Sequence, residues 1–448
     1  MTLTLEKTIE TFKEKFNTSG KLREKGSKYI PGGYSRHSLT YGPHAIYVDH
    51  GEGQYLYTAE GHKLLDFHNN FTTGMLGHNH PKIREALMEL IPKGFCFGNP
   101  MKHEYRLAQM LCERIEAVER VIFSCSASES CLSAIRIARA NTGKNKIAKL
   151  EGGYHGLGDE FMISLHPYSD AVPGPPSRPI AIPGTAGIPQ HIRENVVVLP
   201  QNDLNSCERI LKENAGDIAC VILELQSGAG GLIVLDKEFV KGIRQITHEL
   251  GILLIFDETI TLRMNFGGLQ RSYGVKPDLV VFGKIIGGGL PIGAVAGQEK
   301  LFRMGETGNV YHSGTHHGHP LATMAGIACL EVMNEATYDR LHKYGNRLKT
   351  ELNTWAKEKN YSFIVHGEGS FLGYEFTDKP GREYKSCRDI IKYSNEEQMQ
   401  IFAFEMVNRG IFPMYRGQLA ISEPMTEDDI ELFINNAKSI IETIFEGQ

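Results

Sequence analysis

Four groups in this sequence have chemistry to offer, and each follows a short apolar run. Lys284 stands just past Leu279 to Phe282 and ahead of Gly287-Gly288-Gly289. A lysine amine without its proton condenses with an aldehyde to a Schiff base. Asp257, behind Ile252 to Phe256, offers a carboxylate that could keep a heterocyclic nitrogen protonated. Tyr154, in Glu151-Gly152-Gly153-Tyr154-His155-Gly156 after Leu150, offers a flat face framed by glycine. Ser126, Ala127 and Ser128 follow Val121 to Phe123 and open a helical pattern over Ser130 to Ala140. Their hydroxyls and N–H groups would meet an anion at a helix N-terminus. Glu224 and Thr259 add polar groups in comparable turns.

The elements that must position these groups are legible in outline. The runs Val121-Phe123, Ile147-Leu150, Val196-Leu199, Val221-Leu223, Ile252-Phe256 and Leu279-Phe282 alternate with helical patterns such as Phe239 to Leu250. Continuous apolar strands separated by helices predict a mostly parallel sheet covered on both faces. Ligands of such sheets bind beyond the carboxyl ends of the strands, where these groups stand. Residues 5–25 read as one charged amphipathic helix. Ala45-Asp49 and Tyr55-Tyr57 read as a hairpin through Gly51-Glu52-Gly53, the second strand continuing past Gly61 into Leu64-Phe67. Thr426-x-x-Asp429 reads as a capping box opening a helix to Phe445. The expected organisation is α/β: a helix and hairpin at 1–66, a large domain with a seven-stranded-type sheet at 67–325, and a segment at 326–448. The two chain ends combine into a small α/β domain.

Composition excludes several classes. With 448 residues, 41% hydrophobic and 23% charged, the chain reads as an ordinary globular protein. A net charge of -5 leaves no basic field for nucleic acid. No run is long and apolar enough for a bilayer, and the first residues lack a signal-peptide core, so a cytosolic chain is expected. The eight cysteines include no Cys-x-x-Cys. His316, His317 and His319 have no carboxylate or thiol at helical spacing, so no metal is expected. No Gly-x-Gly-x-x-Gly fingerprint supports a dinucleotide-binding oxidoreductase.

A phosphate cradle, an aromatic plate, a carboxylate and a lysine at one sheet edge are the parts that hold pyridoxal phosphate. The chain resembles a fold-type I, class III pyridoxal-phosphate aminotransferase, the group that includes glutamate-1-semialdehyde 2,1-aminomutase. The likeness rests on Ile252 to Glu258, Pro277 to Gly293 with Lys284, Tyr154-His155-Gly156, Leu76-Gly77-His78-Asn79-His80-Pro81 and Ser313-Gly314-Thr315. It runs from about Tyr29 to the C-terminus.

That resemblance implies catalytic roles for Lys284, as Schiff-base lysine and proton shuttle, and for Asp257, as partner of the pyridine nitrogen. It makes Tyr154 the stacking aromatic and places His155, Glu224 and Thr259 beside the cofactor. Ser126, Ala127 and Ser128 become the phosphate turn, and Thr315 reaches the phosphate of a neighbouring subunit, which implies a homodimer with shared sites. The Ser35-Arg36 turn, Thr261-Leu262-Arg263 and Tyr415-Arg416-Gly417 resemble the β-amino acid (β-phenylalanine) aminotransferases, and the aminomutase's Ser-Pro-Val-Arg run is missing. By that likeness Arg36 binds the carboxylate of a β- or ω-amino acid, Arg416 serves the α-keto acid, and Tyr34 and Phe71 are pocket walls. The implied reaction is transamination by way of pyridoxamine phosphate, with a 2,1-aminomutase or an epimerase as alternative. The family's Asn-Ser-Gly-Thr-Glu turn is here Cys125-Ser126-Ala127-Ser128-Glu129. Ala127 lacks glycine's access to positive φ, which puts the turn's geometry at stake. Leu225, Ser227 and Thr259 also depart from the family pattern.

Overall fold

Alternation near the N-terminus produces the expected hairpin. Val48–Glu52 (β1) pairs antiparallel with Tyr55–Thr58 (β2). The second strand does not run on through Gly61. There the chain turns at φ +86°, and Lys63–Asp66 (β3) folds back antiparallel on β2. The single helix expected over 5–25 is two, Leu5–Lys15 and Asn17–Gly26, interrupted at Phe16 with φ -112° and ψ 39°. Phe16 is fully buried with Phe12 against Leu64, Phe404 and Val407, and turning both rings into that core breaks the helical path.

In this computed structural model, which describes residues 3–165, 173–307 and 309–447, the six apolar runs are all strands. They are Arg120–Ser124 (β4), Lys146–Leu150 (β5), Val196–Leu199 (β6), Ile218–Leu223 (β7), Leu253–Asp257 (β8) and Leu279–Gly283 (β9). The seventh strand of the expected sheet, Gly293–Gly297 (β10), matches none of the apolar runs, because Gly-Ala-Val-Ala-Gly has little strand propensity. Its small residues answer to crowding. A Cβ on Gly293 would lie 2.2 Å from the Ser126 carbonyl oxygen. The order is β4-β10-β9-β8-β7-β5-β6, with β10 antiparallel to both neighbours and the β5 to β9 pairs parallel. The helix Ala127–Thr142 packs on this sheet, burying Cys131, Ala134, Ile135 and Ala138 against Ile222, Ile255 and Val281.

Phe363–Glu368 (β11), Phe371–Phe376 (β12) and Gln418–Ala420 (β14) form an antiparallel sheet, while Ile411–Phe412 (β13) joins β3 in parallel. The helix Glu427–Glu446 opens with the Thr426–Asp429 capping box and buries Ile430, Phe433, Ile434, Ala437, Ile440, Ile441 and Ile444 on one face. Two compact units result: Lys82–Asp339 with Glu383–Lys392, and Met1–Pro81 with Arg340–Arg382 and Tyr393–Gln448. Breaks were expected at 66/67 and 325/326, and the units divide elsewhere. Residues past 66 stay with the chain ends because Phe67 N–H donates to Phe412 O and His78 bonds Asp66. Residues 326–339 stay with the large sheet because the helix Pro320–Val332 packs on Lys102–Arg114 and on Lys284–Gly287. Residues 383–392 return to the large unit through the Arg388–Glu151 pair at 2.7 and 2.8 Å. Among the described residues no helix is long and apolar enough to cross a membrane.

Candidate active site

In the large unit the groups singled out from sequence sit at the carboxyl ends of neighbouring strands. Asp257 is the last residue of β8 and pairs in register with Val281 of β9, and Lys284 is the first residue past β9. Lys284 takes φ +51°, left-handed backbone that disfavours a residue with a Cβ and costs about 1–2 kcal/mol. Strain of this kind is retained where the surroundings over-determine it. Gly283 is extended before it, and a Cβ there would press within 2.9 Å of Ala127 Cβ. Burial pushes the Lys284 amine down to about 8, with Asp257 and Glu224 holding it up and Arg263 pushing it further down. A lysine in this condition can give and take a proton near neutral pH.

Asp257 is 4% exposed. Its Oδ2 accepts from His155 Nδ1 at 2.9 Å and from the Cys131 thiol at 3.6 Å, and its Oδ1 accepts from the Thr259 N–H at 3.0 Å. Burial alone would raise this carboxyl. The His155 and Thr259 donors outweigh it and hold the group below the ordinary aspartate range. His155 is itself buried, edge-on to Phe161. Cys131 was not foreseen as a site residue. It stands one helical turn past Ser128, and only the packing of that helix on β8 brings its sulfur to the carboxylate.

Tyr154 keeps 37% of its surface exposed, so its ring is open to a ligand. Glu224 fixes the plate's backbone, accepting from the N–H of Tyr154 and of Gly228, both at 3.0 Å. Ser126 is the N-cap of the helix, its hydroxyl accepting from the Glu129 N–H at 3.3 Å. Ala127 is the first helical residue and adopts no positive φ, so the loss of glycine there strains nothing. The glycine that matters is Gly156, at φ +98°, where a Cβ would lie 2.3 Å from Ser128 Oγ. It lets the segment carrying Tyr154 lie directly against the hydroxyl turn. Ser227 is committed to a turn, accepting from the Ile233 N–H, and Leu225 is wholly buried. Thr315 lies exposed in the turn 315–318.

Arg36, Arg416, Tyr34 and Phe71 belong to the other unit. Arg36 donates to Asn70 Oδ1 at 2.7 Å and lies 5.7 Å from the Phe71 ring centroid. The turn beneath it is unusual: Asn69, Asn70, Phe71 and Thr72 take φ +49°, +47°, +53° and +74° in succession. Asp66 accepts from the N–H groups of His68 and Asn69, and His68 Nδ1 accepts from that of Phe71. Asn69 Nδ2 donates to the carbonyls of Asp66 and Ala420. These bonds hold a left-handed turn with no glycine to ease it. Arg416 is exposed at the turn between Met414 and Gln418. The Tyr34 hydroxyl accepts from the Ala45 N–H at 2.8 Å, a bond that anchors the chain.

The donor set of the large unit fits pyridoxal phosphate. A capped helix N-terminus with two hydroxyls suits the phosphate, a half-exposed tyrosine the ring, a stabilised anion the pyridinium, and a lysine of lowered basicity the aldehyde. The comparisons agree with that chemistry. The sequence profile described as "Aminotransferase class-III" matches residues 38–415. A glutamate-1-semialdehyde 2,1-aminomutase from Thermodesulfovibrio yellowstonii is 34% identical over 438 residues, 96% of this chain and all of the relative. An omega-transaminase from Sphaerobacter thermophilus superposes with TM-score 0.89 at 32% identity, covering 95% of this chain and 98% of that one. A β-phenylalanine aminotransferase from Variovorax paradoxus gives 0.88 at 30%, covering 98% and 96%. Strand order, lysine, aspartate and full-length similarity lead to one assignment: the chain belongs to the class-III aminotransferases, with their fold-type I architecture.

Proposed function

We propose that this chain is a pyridoxal-phosphate aminotransferase that moves the amino group of a β- or ω-amino acid to an α-keto acid. The observation that carries the reading is Lys284 and Asp257 at the ends of adjacent parallel strands, the amine of lowered basicity and the carboxylate held as an anion. Pyridoxal phosphate supplies an aldehyde for the amine and a protonated ring that takes up the electrons of a C–H bond. Asp257 keeps that ring protonated, and His155, Thr259 and Cys131 keep Asp257 ionised. Lys284 would take a proton from the substrate carbon that bears nitrogen and give it back. Tyr154 covers the ring, and Ser126, Ala127 and Ser128 hold the phosphate. Arg36 takes the substrate carboxylate, with Phe71 as an apolar wall, and Arg416 takes the second acid; a guanidinium fork suits both roles. Thr315 completes the phosphate site of a second copy, which makes the working form a cytosolic homodimer.

The purified protein should show the visible absorbance of a lysine-bound cofactor and lose it on adding an amine substrate. Lys284→Ala should abolish that band and lower turnover by about 10²–10⁴-fold. Full activity in that variant would sink the proposal.

A second reading is intramolecular: a 2,1-aminomutase that shifts an amino group within one substrate. The curated relative named above speaks for it more directly than for transamination. Arg36 in place of the aminomutase's Ser-Pro-Val-Arg run speaks for the first. Turnover of an amino aldehyde without any keto acid identifies the second. Dependence on added keto acid, with a β-amino acid as donor, identifies the first.

A further inference from the structure

We infer that Cys125, Glu129 and His317 form a site for a borderline-soft divalent cation of the zinc class, set against the phosphate turn of the large unit. The Cys125 Sγ, a Glu129 carboxylate oxygen and an His317 ring nitrogen lie within 4.8 Å of one another. The His317 Nε2 to Glu129 Oε2 separation is 3.6 Å. Two ligand atoms at about 2.0–2.3 Å from one tetrahedral ion stand roughly 3.3–3.7 Å apart, so the His317–Glu129 pair already has ligand spacing, and the thiol closes on it by a side-chain adjustment of about 1 Å at most. One thiolate, one imidazole and one carboxylate make a three-ligand set with a fourth position open, a combination that suits zinc and disfavours magnesium or calcium.

Surrounding contacts hold the donors in place. Glu129 is in the first turn of the helix Ala127–Thr142, and its Oε2 accepts the Cys125 N–H at 2.7 Å, orienting the carboxylate toward the thiol's own residue. The His317 ring lies over Gly314, where a Cβ would stand 2.3 Å from Nε2 and Cδ2; only glycine admits the ring. His317 is 22% and Glu129 48% exposed, so the site is open to an ion. His319 is not a fourth ligand on Nδ1, which accepts from the Leu321 N–H at 3.3 Å. Sequence spacing hides this cluster, since the histidine lies far along the chain from the other two residues. Cys125 is also a departure, standing where the resembling family's turn carries asparagine. A bound ion would pin the turn that carries Thr315 to the phosphate turn.

The test is titration of the chelator-treated, tag-free holoenzyme with Co²⁺, followed by displacement with Zn²⁺. Expected is one equivalent of cobalt with the strong visible bands of a tetrahedral site and a near-ultraviolet thiolate-to-metal band. Cys125→Ser should remove the thiolate band. His317→Ala should weaken binding by at least about 10–100-fold, whereas His319→Ala should leave both features. A weak octahedral-type spectrum in the parent protein, or an unchanged thiolate band in Cys125→Ser, would overturn the inference. The readout is metal binding, so it stands or falls separately from the aminotransferase reading.

Discussion

The depressed basicity of Lys284 makes a quantitative demand on how fast the apoprotein captures its cofactor. An ordinary lysine, at 10.5, is free amine in about three molecules per ten thousand at pH 7; one at about 8 is free in roughly one tenth, close to a 300-fold gain in reactive form. Capture of pyridoxal phosphate by the apoprotein, followed by absorbance at a series of pH values, should therefore rise with a midpoint near 8. A blocked lysine amide in solution, measured in parallel, removes the contribution of the cofactor's own ionisations. Asp257 is one of the two anions that hold the Lys284 ammonium up, against burial that pushes it down. Asp257→Asn removes that anion, so the midpoint should move below 8. A parent midpoint at the ordinary lysine value, or an upward shift in the variant, would refute the claim that burial and the strand-end carboxylate govern this amine.

Three further outcomes follow from the same geometry. Cys131→Val deletes a donor to Asp257, so the carboxyl should rise and the acid limb of the kcat profile move to higher pH, with kcat falling by up to about tenfold; Cys131→Ser should restore both. Gly156→Ala meets a wrong φ and a 2.3 Å clash with Ser128 Oγ, and a cost of about 1–3 kcal/mol should appear as weaker cofactor retention on dialysis. Arg36→Gln should raise KM for a carboxylate-bearing amine roughly 10–100-fold and leave a simple amine almost unaffected; equal losses for both would remove Arg36 from substrate binding.

Local pattern was enough to put the candidate groups of the large unit at one sheet edge. An unbroken apolar run must be a covered strand, and whatever follows it must lie at the sheet edge, so Asp257, Lys284, Tyr154 and the Ser126–Ser128 turn could be placed without coordinates. The same logic passed over β10, whose small residues report close packing against Ser126 and carry no strand signature of their own. It also misjudged Ala127, because whether a turn residue needs positive φ depends on where the helix begins. Phe16 breaks a helix that charge periodicity made continuous, since burial of two rings outweighs a few tenths of a kcal/mol per residue of propensity.

What no reading of spacing could supply is which distant side chains share an atom. His155 and Cys131 meet on one oxygen of Asp257 because β5, which leads to His155, lies just beyond β7 from β8, and the Ala127–Thr142 helix packs on β8. The strand order departs from the order in the chain, and it makes neighbours of residues more than a hundred positions apart. Likewise the left-handed turn under Arg36 is dictated by Asp66, His68 and the Ala420 carbonyl. Nothing in Asn-Asn-Phe-Thr requires it. Sequence sets residue chemistry and short-range geometry, where covalent connection limits the choices; long-range packing alone decides which charges are desolvated together, and so which groups ionise.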